Sequence, residues 1–591
     1  MRRILIFLLA AILMAGCVSS RLHYFGDTPK KPGSYPRFTS GDSVKGYLDR
    51  YRACYDVVHY DLDLSLDPAH RKLGGTVRIT FRAVTALDTI RIDLHRDLKI
   101  KNIDLDGVRI PFSRDGMAVM LSLPERLDTG KIYSLTVGYD GSPVKAVRPP
   151  WKGGVVWKTD REGNRWVGVA CESEGGSVWF PCKDHLSDEP DSMRLRMSVP
   201  SGLQVVSNGI LEEHSIVPGR EVFTWSTRYP INIYNITFYA GRFGHIADSM
   251  DVPEGTLHLD YYVHPWNVAK AGAHFRQVKD VIRIYSRAFG PYPWIKEGFK
   301  LVESPYEGME NQTAIAYGSG FMNISWLGAD YIIVHETAHE WWGNAVTVSD
   351  FSDIWLQEGF ATYAEVVYVE AMKGRDTSLM YLNYWLAPSI NNKLPVVGPR
   401  DVSYWDYNDG DVYNKGALVL HTIRNVINDS TLFFDILQTF YREHAGGSHV
   451  TTDDFREVLE RKTGLDWAKF FEAYLYSRQV PVLKWYYGSV DPGRDQGRSN
   501  PVSFVAAKWT NVPEGFTMPV RLTCRETGRS EVINVKTLAK LFFLKSFSSC
   551  DVLSCNTDRS YFTAVSGEDL LREAEPEIPE TEKRSVIVMT P

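Results

Sequence analysis

His335-Glu336-Thr337-Ala338-His339, followed nineteen residues later by Glu358, is the stretch on which the reading of this chain turns. Residues four apart lie one turn apart on one face of an α-helix. Two neutral imidazoles so placed can grip one zinc ion from the same side. Glu336, beside the first of them, is positioned to take a proton from a water on that ion. A third protein ligand leaves the fourth position open, as a hydrolytic metal requires, and Glu358 is the leading candidate. The pentapeptide alone recurs by chance, so its setting decides. Ala329 to Val334 reads as the apolar first turns of a buried helix, and Asp353 to Glu358 leads into a second apolar helix through Val367. A helix–loop–helix could bring Glu358 back to the histidines.

Working outward, 591 residues predict about three domains. With 44% hydrophobic and 23% charged residues the composition is that of a globular protein. A net charge of −6 gives no reason to expect a nucleic-acid partner. Arg2 and Arg3 precede the apolar run Ile4 to Met14, which is too short to span a bilayer and fits a secretory leader. It ends at Ala15-Gly16-Cys17, which resembles the bacterial lipobox; a lipid on Cys17 would tether the protein to a membrane from an extracytoplasmic space, periplasm or cell surface. Six further cysteines permit disulfides in an exported protein, with Cys171–Cys182 and a pair among Cys524, Cys550 and Cys555 open.

The expected organisation is multi-domain α+β. Residues 1–17 form the lipoprotein leader and 18–46 a Pro- and Lys-containing tether. Residues 47–251 form an N-terminal antiparallel β-domain, with alternation that puts Tyr60, Leu62, Leu64 and Leu66 on one face and a late strand at Ile233 to Tyr239. A mainly helical domain, 252–478, opens with a helix from Val268 to Phe289 and includes one that Asp454 would cap. A small β-sandwich spans 479–566, and an acidic tail without fixed structure spans 567–591.

Glu307-Gly308-Met309-Glu310-Asn311 resembles the G-x-M-E-N motif of the M1 family of zinc aminopeptidases, and His335 to Glu358 fits that family's H-E-x-x-H-x18-E pattern. Trp355-Leu356-Gln357-Glu358-Gly359-Phe360-Ala361 is similar to its W-L-N-E-G-F-A segment, and Val412 to Ala417 to the segment that carries its catalytic tyrosine. The likeness runs from about residue 52 to about residue 525, with the motifs in order. It implies a thermolysin-like catalytic domain, one zinc ion on His335, His339 and Glu358, and attack of a zinc-bound water on peptides with a free N-terminus. Glu336 would be the general base and Tyr413 the oxyanion donor. Glu310 and Glu172 would anchor the substrate α-amine, and Gly308, Met309 and Asn311 would align the peptide.

The departures are Glu307 where the family has Gly, Ala170 where it has Gln, and too few residues after Val480 for the large helical domain of many members, which predicts a more open cleft. Asn311-Gln312-Thr313 also matches a glycosylation sequon, read as chance. The alternatives are a zinc endopeptidase, an epoxide hydrolase on the same scaffold, and a catalytically inactive peptide-binding surface protein.

Overall fold

The alternation from His59 to Leu66 yields what a period of two requires: Tyr60, Leu62, Leu64 and Leu66 are all buried on one side of the strand Tyr55–Asp67. These observations come from a computed structural model that describes residues 35, 37–325, 327–403, 410–490, 502–544, 550 and 552–576. The strand pairs antiparallel with Lys72–Ala83 at the centre of an eight-stranded sheet. Its other neighbour, Ser192–Pro200, runs parallel, so the first domain is not purely antiparallel. The intervening 120-odd residues act as the long crossover that a parallel pair needs. A four-stranded sheet contains Arg165–Ala170, which stops two residues short of Glu172.

Several expectations are corrected. Ile233 to Tyr239 is not one strand. The Asn232 side chain accepts from the Tyr234 amide and winds Ile233–Asn235 into a single 3-10 turn; the strand begins at Phe238. The boundary at 251 falls inside a hairpin, Gly244–Val252 with Gly255–Val263, whose second strand pairs with Phe299–Glu303 in a five-stranded sheet of the central domain. The helix from Val268 to Phe289 is two, Val268–His274 and Gln277–Phe289, because Gln277 Nε2 donates to the His274 carbonyl at 2.8 Å and ends the first. Thr451, not Asp454, is the cap of Thr452–Thr463, and Asp454 is its reciprocal partner three residues on.

The tether contains structure: Ser40–Gly46 is helical, opened by a capping box between Thr39 and Asp42. The C-terminal region is two packed sheets of five and three strands, with a disulfide between Cys524 and Cys550. Cys171 and Cys182 are unpaired and buried. The tail is ordered at its start. Glu568–Arg572 makes a turn that buries Leu570 against Ala506 and Ala539, and Glu575–Pro576 joins the sheet. The leader with Cys17, most of the tether and residues 577–591 lie outside the described residues. Among the described residues no helix is long and apolar enough to cross a membrane.

Candidate active site

The motif helix, Tyr331–Ala338, starts on Asp330, whose carboxylate accepts the Ile332 amide, and ends with His339 at its C-cap. The ligand helix, Trp355–Lys373, carries Glu358 in its first turn. The two bring three ligand atoms together. His335 Nε2 and His339 Nε2 are 3.2 Å apart, and each lies 3.4 Å from Glu358 Oε2. All three residues are buried.

Each histidine is fixed through its other nitrogen. His335 Nδ1–H donates to Glu365 Oε1 at 2.7 Å, and the Tyr381 hydroxyl donates to the other oxygen of Glu365. His339 Nδ1–H donates to the Trp342 carbonyl at 2.8 Å. Both Nε2 lone pairs therefore face the common point, where Glu358 Oε2 has no hydrogen-bond partner. Two imidazoles and one carboxylate, oriented by outer partners, are the donor set of a zinc hydrolase, so the residues fit that metal.

The remaining expected residues line the same cleft: Glu172, Gly308, Met309, Glu310, Glu336 and Tyr413, with Pro150 and Trp151 added from the first domain. Gly308 has a steric reason. A Cβ there would stand 2.2 Å from Glu336 Oε1, so a side chain at 308 would displace the carboxylate of the general-base candidate. Glu310 is buried, and its backbone carbonyl is held by Asn344 Nδ2 at 2.8 Å; Asn344 is itself held by Asn235 Nδ2 at 2.7 Å. Asn311 is buried with its amide on the Tyr239 hydroxyl at 2.9 Å, inaccessible to a glycosylating enzyme. It supports the strand from behind. Glu307 is exposed at the cleft rim.

Tyr413 caps the helix Asn414–Ile427, its ring 6.2 Å from that of His335. That helix crosses the ligand helix where Gly359 and Gly416 meet: a Cβ on Gly359 would stand 3.0 Å from Gly416 Cα. Backbone contact at the residue after Glu358 brings the start of the Tyr413 helix to the metal ligand.

The acids of the cleft act on one another. Burial, reinforced by Glu310, Glu358 and Glu336, drives the Glu172 carboxyl well above the usual range, and Glu172 Oε1 has no hydrogen-bond partner. Burial and Glu358 raise Glu310 against the opposing pull of His339, and the Tyr234 hydroxyl faces it. Burial pushes Glu336 up to about 8, against the two histidines. Burial opposes ionisation of Glu358 as well, but His339 and His335 outweigh it and hold that carboxyl at about 2. This surplus of carboxylate calls for compensating positive charge.

Sequence reasoning missed Glu365, Tyr381, Tyr234, Asn235 and Asn344. Glu365 was findable, since it lies seven residues, two helical turns, beyond Glu358 on the same face. Tyr381, Tyr234, Asn235 and Asn344 arrive through tertiary folding and carry no local signal.

Comparison with known proteins gives concordant results. The family description Peptidase family M1 domain matches residues 274–474, and Peptidase M1 N-terminal domain matches residues 57–234. Mouse aminopeptidase B is 23% identical, over 78% of this chain and 75% of its own length. Human endoplasmic reticulum aminopeptidase 1 is 22% identical, with 66% of this chain matching 44% of it. An M1 zinc metallopeptidase from Deinococcus radiodurans, solved with a Tyr-Ser-Ala substrate, superposes with a TM-score of 0.64 at 24% identity, over 74% of this chain and 98% of that one. A two-domain M1 zinc metallopeptidase bound to L-arginine gives a TM-score of 0.61 at 25% identity, over 72% and 94%.

Proposed function

The chain belongs to peptidase family M1 and is a zinc-dependent metallo-aminopeptidase, and from that premise we propose how its own residues divide the work. His335, His339 and Glu358 hold the single zinc ion, which when bound supplies an acidified water and a Lewis-acid contact for the substrate carbonyl. Glu336 is the general base. Its buried carboxyl accepts the proton of the attacking water and returns it to the leaving amine. Tyr413 donates to the oxyanion; one such donor is worth about 3–4 kcal/mol.

Glu310 and Glu172 bind the α-ammonium of the substrate. An ammonium arriving between them repays the cost of burying two acids, so only the first peptide bond reaches the metal. Gly308 and Met309 offer backbone to the extended peptide.

The observation that carries this reading is the convergence of the His335, His339 and Glu358 ligand atoms in the same cleft as two buried acids. An aminoacyl amide with a free N-terminus should be hydrolysed, its N-acetylated form should not, and a chelator should stop the reaction. Equal cleavage of both forms would replace this reading with an endopeptidase.

The basic start, the apolar run and Cys17 further support export and lipid anchoring to a membrane. Cys17→Ser should move the protein from the membrane fraction to the soluble one; an unchanged distribution would refute the anchor.

A further inference from the structure

Beside the amine anchor lies a second, smaller cavity of about 20 Å³, and Glu172 lines both it and the cleft. That is room for one group of about the size of a water or a methyl. Its walls include Ile233, Tyr234, Phe351 and Asp184, together with Lys45 and Gly46 of the helix Ser40–Gly46.

This arm is held in place from several sides. The Arg91 guanidinium donates to the Val44 carbonyl at 2.8 Å. Arg52, fully buried, donates to the carbonyls of Val44, Lys45 and Tyr47 and to that of Asp184. The two guanidiniums thereby take up carbonyls that the end of a helix leaves open, and both pair with buried Asp93. His185 Nε2–H donates to the Gly46 carbonyl at 3.0 Å, and the Ser403 amide to the Asp42 carbonyl at 3.1 Å. Lys45 Nζ donates to the carbonyl of Ser173, the residue after Glu172.

The amine and the side chain of a substrate's first residue leave the same Cα. Because Glu172 lines both spaces, an ammonium held on it would bring that side chain close to this cavity. We propose that the arm Ser40–Gly46 is a specificity element, with Lys45 and Gly46 closing the first-residue pocket so that substrates beginning with a small residue such as alanine are preferred. The inference rests on the aminopeptidase reading above.

The test compares kcat/KM for alanine and leucine amides in the full chain. Wild type should favour alanine at least about tenfold, the scale that one or two badly placed methylenes produce. Lys45→Ala removes the stem that forms the wall. Gly46→Ala places a Cβ against the backbone of Val402, so the arm and residues 402–403 must part. In both variants the leucine-to-alanine ratio should rise about tenfold, with zinc content and melting temperature reporting that the fold is kept. A wild type that prefers leucine, or a ratio that stays within threefold of wild type in either variant, overturns the proposal while leaving the aminopeptidase reading intact. Absence of hydrolysis of any amide with a free N-terminus removes both.

Discussion

The two halves of the cleft are built on opposite plans. On the metal side the outer nitrogen of each histidine has a partner: Glu365 and the Trp342 carbonyl turn the histidines, and Tyr381 holds Glu365. On the amine side Glu172 and Glu310 come from different domains, lie buried with raised pKa values, and Glu172 keeps an oxygen with no partner. A resident ion justifies a permanently oriented shell. A ligand that comes and goes is served by acids left short of positive charge, because their discomfort is relieved only by the correct group. The first half is rigid by hydrogen bonding and the second selective by electrostatic deficit.

That contrast can be broken by substitution. The largest effect belongs between the halves. Glu336→Gln should lower kcat by about 10³- to 10⁴-fold with zinc retained; a variant keeping a tenth of the activity would end its role as base. Glu310→Ala, on the amine side, should lower kcat/KM for free-amine substrates by about 30- to 1,000-fold, as losing one partner of a buried charge pair does. Metal content should not change; loss of zinc would mean that the halves are not separable. Glu365→Gln, on the metal side, should weaken zinc about 10- to 100-fold, read by competition with a chelator. Unchanged affinity would show that Glu365 does not orient His335.

The smallest effect concerns the joint between domains. Burial pushes Glu189 up to about 7, against its hydrogen bond from Thr347 just beyond the motif helix. Between pH 4.5 and 7 the folded chain keeps this proton and the unfolded chain has lost it, so stability falls as pH rises through that window and levels off above it. Glu189→Gln should flatten the slope across that window. An identical slope in the variant would assign it to other acids.

The metal side was legible in the sequence because its logic is local: histidines one turn apart and an acid just past the next turn. The central strand Tyr55–Asp67 was legible for the same reason, its period of two surviving into the fold. The amine side could be named only through resemblance to known motifs. Its supports, Tyr234 and Asn235, sit in a segment that reads as a strand but is bent by the Asn232 side chain. The arm was misread as tether although Thr39 and Asp42 spell a capping box. What holds it are Arg52, Arg91 and His185, and no sequence pattern announces contacts over 40 or 140 residues. The start of the tail, 567–576, was misread because one buried leucine, Leu570, outweighs an acidic composition.

The meeting of Gly359 with Gly416 sets the spacing between Glu358 and Tyr413 by main chain touching main chain. The atoms nearest to Gly359 at that point are backbone, so the spacing does not depend on the length of a side chain there. Bulk added at either of those two glycines, where none fits, would pry the two helices apart.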